Sequence, residues 1–155
     1  MKINWKKLLI CLAIPLAVGG LATLLSGGMD TYAELVQPPL SPPGWIFPIV
    51  WTILYLLMGY ASYRILVSDA PPAAIRKALT FYAIQLALNF LWPLVFFGLQ
   101  WYWAAFILLL ALWVFIYLTM HLFGSIDDTA ANLLIPYLLW VTFAGYLNLG
   151  VALLN

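Results

Sequence analysis

Residues Trp101–Phe123 read WYWAAFILLLALWVFIYLTMHLF, twenty-three positions without an Asp, Glu, Lys or Arg. At about 1.5 Å of rise per residue, a helix of this length matches the hydrocarbon core of a bilayer, which takes about 20 residues to cross. Runs of the same kind recur from one end of the chain to the other. Two thirds of the 155 residues are hydrophobic and only 7% are charged, a balance foreign to water-soluble globules. The expected fold is therefore an all-α integral membrane protein, a single domain over residues 1–155 with five transmembrane helices. These are expected at about 7–26, 43–67, 77–97, 101–123 and 129–154. The lysines ahead of the first run imitate a secretory signal, but that run is nearer a full span than a signal's short apolar core, and it reads as a retained helix.

All six basic residues fall at one end of this bundle. Lys2, Lys6 and Lys7 precede the first helix, and Arg64, Arg76 and Lys77 flank the connection between the second and third. The positive-inside rule puts that end in the cytoplasm, with the N-terminus inside and the C-terminus outside, in what reads as a bacterial membrane. Asp30 and Glu34 then belong to the outer loop. Asp127 and Asp128 belong to the inner loop before the last helix, where they favour its positive N-terminal dipole. A net charge of +1, scattered over helix ends, offers no face for nucleic acid.

Several chemistries lack their residues. Every carboxylate lies in or beside a loop, so no helix carries an interior acid for a proton relay. All four lysines are terminal to helices, which removes a buried Schiff base. The one histidine, His121, sits near a helix end as an interfacial polar group. With the single cysteine, Cys11, it makes neither a metal cluster nor a bis-histidine haem, and no metal site is expected. Cys11 reads as a small buried hydrophobe.

The polar and aromatic groups that remain are spaced informatively. Tyr82, Gln85, Asn89, Trp92 and Phe96 follow one another by three or four residues on one face of the third helix. Trp51 and Tyr55 are one turn apart on the second; Pro136, Trp140, Phe143 or Ala144, and Leu147 line the fifth. Such stripes serve either as helix–helix glue or as a pocket wall, because an unpaired amide does not sit in hydrocarbon. Depth favours the pocket: Trp51 and Asn89 each lie about 12 Å from the outer helix ends, and Trp140 about 16 Å from the inner one. Three helices thus bring broad rings and one amide to a shared layer, as a flat apolar ligand requires, with Asn89 orienting it.

The stretch PPLSPPGWIFPIVW, residues 38–51, explains how that layer is covered. Prolines that cannot donate backbone hydrogen bonds make the long outer loop, about Gly27–Pro42, a stiff approach to the second helix. Pro43 suits that helix's first turn, and Pro48 is expected to cost one internal bond or leave a mild kink. Trp45, Trp101, Tyr102 and Trp103 belong to the interfacial belt, whereas Trp51 lies too deep for it.

Three ordered segments resemble one family. Pro42-Pro43-x-Trp45 running on to Val50-Trp51-x-x-Leu54-Tyr55-x-x-Met58-Gly59-Tyr60 is the first. Gln85-Leu86-x-Leu88-Asn89-x-x-Trp92 with Phe96-Phe97-Gly98 is the second, and Pro136-Tyr137-Leu138-x-Trp140-x-x-Phe143-Ala144-x-x-Leu147-Asn148 the third. They are similar to the translocator protein family, also called tryptophan-rich sensory proteins (TspO/MBR), and the likeness extends over nearly the whole chain.

The resemblance implies a five-helix receptor or sensor, commonly a homodimer in the lipid bilayer. Its cavity binds porphyrins such as protoporphyrin IX or haem-related tetrapyrroles, with an associated transport role. It also implies benzodiazepine- and isoquinoline-type synthetic ligands. By matching position the ligand-binding residues are Trp51, Tyr55, Asn89, Trp92, Trp140 and Ala144, with Tyr32 covering the cavity from the loop. The alternative it implies is an enzyme promoting light- and oxygen-dependent porphyrin degradation, in which Trp51 and Trp140 are the redox-active side chains. The family's sterol-recognition pattern needs a basic residue after the tyrosine of the last helix. Here Tyr146 is followed by none, which argues against sterol binding by that route. For a dimer face, the small residues Ala13, Ala17, Gly19 and Gly20 of the first helix and Ala83 and Ala87 of the third are the expected surface.

Overall fold

The structure is a computed structural model that describes residues 2–27 and 32–155; Asp30, assigned above to the outer loop, lies outside the described residues. Among the described residues, five helical spans are long and apolar enough to cross a membrane. They comprise α1 (Trp5–Ser26), α2 (Ile46–Leu66), α3 (Pro72–Pro93), α4 (Tyr102–Gly124), and a last span made of α5 (Asp128–Leu133) and α6 (Ile135–Leu154). No strand occurs among the described residues. Around the bundle, α1 packs between α2 and α3, α3 on α4, and α4 on both α5 and α6; α2 closes the ring mainly against α5.

Local chemistry sets the helix ends. Asn4 caps α1, its Oδ1 accepting from the Lys7 N–H at 3.2 Å, and Gly27 ends it in the left-handed region at φ 81°. The helix α2 begins at Ile46, three residues later than expected. Pro43 instead closes a turn, its carbonyl accepting from the Ile46 N–H at 3.1 Å. Pro48 is consequently the third residue of α2, where no intrahelical donor is needed, and it costs no bond. At the other end of the bundle α3 starts five residues early. Pro72 occupies its first turn, where a fixed φ and a missing N–H are harmless.

Two further departures shape the interior. After Pro93 the helix α3 widens into a π-helical turn, Leu94–Gly98, with the Leu99 N–H donating to the Leu94 carbonyl at 2.9 Å. The expected fifth helix is interrupted at Leu134, whose N–H bonds to Ala131 at 3.0 Å, two residues before a proline that has no donor.

A large apolar core fills the half of the bundle that carries the basic residues. Met58, Ala61 and Ile65 of α2 meet Ala78, Ile116, Phe123, Ala130 and Tyr137, all but closed to the exterior. Gly59 allows α1 and α2 to touch, since a Cβ there would sit 2.6 Å from the Cys11 carbonyl oxygen. Cys11 itself is buried. At the opposite end Trp45, Trp101 and Trp103 stand exposed, as a membrane-interface belt requires.

Candidate functional site

The half of the bundle away from the basic residues opens into a cavity of about 370 Å³. All seven residues singled out from the sequence line it: Tyr32 from the loop, Trp51 and Tyr55 from α2, Asn89 and Trp92 from α3, and Trp140 and Ala144 from α6. The i, i+4 spacing on α2 brings the Trp51 and Tyr55 rings to 5.6 Å, and Trp51 also meets Tyr137 edge-on at 6.2 Å. The π-helical turn carries Phe96 and Phe97 onto the same wall, where Phe96 stacks on Trp92 at 4.9 Å.

Beneath the cavity lies a buried hydrogen-bond network. The Tyr55 hydroxyl donates to Asn89 Oδ1 at 2.9 Å, and Asn89 Nδ2 donates to the Tyr137 hydroxyl at 2.7 Å. Tyr137 in turn donates to Gln85 Oε1 at 2.6 Å. The Asn89 amide, expected to orient a ligand, is thus bonded at both ends to neighbouring helices and is only 3% exposed. Asn89 thereby holds Tyr55 and Tyr137 in place while lining the cavity. The Trp92 indole is likewise fixed, donating to Asn148 Oδ1 at 3.0 Å, while Asn148 donates to the Tyr102 carbonyl at 2.9 Å. Trp140 differs: its buried indole N–H has no partner among the described residues.

The loop is fastened over this space. The Tyr32 hydroxyl donates to the Pro42 carbonyl at 3.0 Å, Gln37 to the Tyr32 carbonyl at 2.7 Å, and Tyr146 to the Pro39 carbonyl at 2.7 Å. Asn155 both accepts from and donates to the Val36 backbone, and Pro38 sits directly over Gly150. Burial raises the Tyr32 phenol above its ordinary pKa, an effect partly offset by Ser41, so it stays a neutral donor.

The α1 wall was not anticipated. Gly19, Ala22, Thr23 and Ser26 repeat at helical spacing, a stripe of small and hydroxyl residues that signals a packed face. Gly19 had been assigned to a dimer surface; instead it is buried against the Tyr55 ring, which an added Cβ would overlap. The hydroxyls of Thr23 and Ser26 are turned back onto backbone carbonyls, at 3.0 and 3.1 Å, leaving the wall apolar toward the cavity. Tyr137 and Asn148, quoted above only as part of a motif, also emerge as structural members of the site.

A five-span membrane bundle enclosing an aromatic cavity under a fastened loop is the class of protein these features define. The TspO/MBR family model matches residues 8–154. The chain is 39% identical over 150 residues to the tryptophan-rich protein TspO of Chlorobaculum tepidum, covering 96% of this chain and 95% of that one. It is 38% identical over 155 residues to the tryptophan-rich sensory protein of Cereibacter sphaeroides, covering 100% and 95% respectively. It is also 41% identical over 124 residues to the translocator protein of Bos taurus, covering 78% and 72%. The chain belongs to the TspO/MBR family and is a multi-pass integral membrane protein.

Proposed function

We propose that this protein is a membrane receptor for porphyrins and similar flat, apolar ring systems, held in the cavity between α2, α3 and α6. The observation that carries the reading is the convergence of Trp51, Trp92 and Trp140 on one cavity of about 370 Å³, within the size range of small-molecule sites. Its polar wall groups are largely bonded within the protein, so a ligand gains mainly from stacking and apolar burial. The benzodiazepine- and isoquinoline-type ligands implied by the family resemblance suit the same surface. Passing ligand through the bilayer is the transport role that accompanies this reading.

Titrating the reconstituted protein with protoporphyrin IX and following tryptophan quenching tests it. Trp51→Ala or Trp140→Ala should weaken binding by about 1 kcal/mol or more, whereas Trp101→Ala, exposed at the interface, should not. Equal small effects at all three positions would mean nonspecific partitioning.

One observation favours the enzymatic alternative: Trp51 joins Tyr55 and Tyr137 in a run of oxidisable rings beside the cavity. In that reading the excited porphyrin is the photosensitiser and oxygen the oxidant, the protein supplying position and redox-active side chains. Illumination in air separates the two. Porphyrin loss that the protein accelerates, and that Trp51→Phe abolishes, marks the enzyme; quenching without such loss marks the receptor.

For the assembly, we infer a homodimer through the outward surface of α1 and α3. Ala13, Ala17, Gly20, Ala83 and Ala87 are all exposed there, which suits close helix approach. Cysteine cross-linking confined to α4 or α6 would refute that face. The orientation follows the basic residues, with the N-terminus in the cytoplasm.

A further inference from the structure

On the lipid-facing side of the bundle a second, predominantly apolar groove runs between α2 and α6. It is lined by Val50, Ile53 and Leu54 on one lip and Pro136, Leu139 and Phe143 on the other, with Trp140 at its floor. Trp140 also lines the inner cavity, so this one side chain is the wall between groove and cavity. The groove exists because α2 lies mainly against α5, and the chain then breaks at Leu134, so that α6 makes few contacts with α2.

We propose that this groove is a lateral portal, with the Trp140 indole as its gate, through which a flat apolar ring ligand moves between the bilayer and the cavity. The inference rests on the ligand class given under Proposed function. Three observations carry it. First, among the described residues the indole N–H of Trp140 has no partner, so rotating this ring breaks no hydrogen bond within them; Trp92, which faces the same cavity, is bonded to Asn148. Apolar packing alone holds the ring, including edge and tilted contacts to Phe47 at 5.7 Å and Phe143 at 5.6 Å. Second, both lips present only apolar side chains to lipid, with Ile53 53% and Leu139 64% exposed, so a hydrophobic ring meets no desolvation barrier there. Third, the loop over the outer end is tied to α6 by the Tyr146–Pro39 and Asn155–Val36 bonds, which an outer route would have to break.

The test fills the groove without touching the cavity. Ile53→Trp and Leu139→Trp widen one lip each, and Ile107→Trp, on the lipid face of α4 and 67% exposed, is the control. Protein in phosphatidylcholine vesicles is mixed rapidly with protoporphyrin IX and the porphyrin absorbance shift is followed; release is then measured by chasing with excess empty vesicles. A blocked portal should slow association and release together, about tenfold each, leaving Kd within about twofold, while the control keeps wild-type rates. Unchanged rates in both groove variants, with wild-type affinity, overturn the portal and leave the receptor reading standing. A change in Kd carried by one rate alone also overturns it. If the wild-type protein itself shows no saturable binding, the receptor reading fails and the portal falls with it. Should one lip variant fail to fold, as judged by helical circular dichroism, the other decides.

Discussion

Asn89 shows how far a residue's depth and type reveal its task. An amide near mid-bilayer needs partners, and either a ligand or a neighbouring helix satisfies that need. The Tyr55 and Tyr137 hydroxyls supply them here. Asn89→Leu removes two interhelical hydrogen bonds of about 0.6 kcal/mol each, so the variant should lose roughly 1 kcal/mol of stability in a thermal melt. Its porphyrin affinity per folded molecule should change little; a fully stable variant that binds weakly would return Asn89 to a direct ligand contact. Gly150 carries a second residue-scale expectation, since a methyl there would lie 2.5 Å from the Pro38 ring. Gly150→Ala should lift the loop, seen as faster cleavage between Val36 and Pro43 in limited proteolysis with the helices intact.

Between elements, the α1–α2 contact depends on one absent side chain. Gly59→Ala drives a Cβ against the backbone at Cys11 and Leu12, where no side chain is able to swing away. Overpacking of this kind costs about 1–3 kcal/mol, and the melting temperature should fall accordingly. An ion pair adds to the apolar join between α2 and α5. Arg64 Nε donates to Asp127 Oδ2 at 2.8 Å, and Asp127 Oδ1 caps α5 by accepting from the Thr129 and Ala130 N–H groups at 2.9 and 3.4 Å. Burial works to raise the Asp127 pKa, but the Arg64 and backbone donors outweigh it and hold the carboxyl below its ordinary value. A depressed carboxylate contributes stability that is complete above its unfolded pKa and is lost as pH falls through the folded value. Acidification below about pH 4 should therefore weaken the α2–α5 join, and Asp127→Asn, which keeps a capping oxygen, should flatten that dependence in thermal melts.

At the scale of the whole molecule, five spans place the chain termini at opposite ends. A reporter fused after Asn155 should be active outside the cell and one fused before Met1 only in the cytoplasm, as the clustering of all six basic residues requires. Two termini on one side would mean an even number of crossings and would contradict the bundle itself. The layout also explains where the cavity lies. Near the basic residues α5 fills the space beside α2, whereas toward the opposite end α2 and α6 touch little and aromatic rings surround the gap.

The amino-acid sequence alone determined the solvent, the five spans, the clustering of charge at one end and the aromatic layer. Each is a one-dimensional property: span length follows from helical rise, and a side chain's face from the 3.6-residue period. Trp51, Tyr55, Asn89, Trp92 and Trp140 were legible as a layer for that reason, and Tyr32 and Ala144 through the family resemblance. Only the tertiary structure decided which helices are neighbours, and therefore that α1 supplies a wall and that Gly19 accommodates Tyr55 rather than another chain. It likewise decided that the Asn89 amide is spent on two tyrosines, and that Trp140 stands between cavity and groove. Periodicity assigns a direction to each side chain within its own helix, but the partner that it meets depends on the rotation and tilt of every other helix, which packing alone sets.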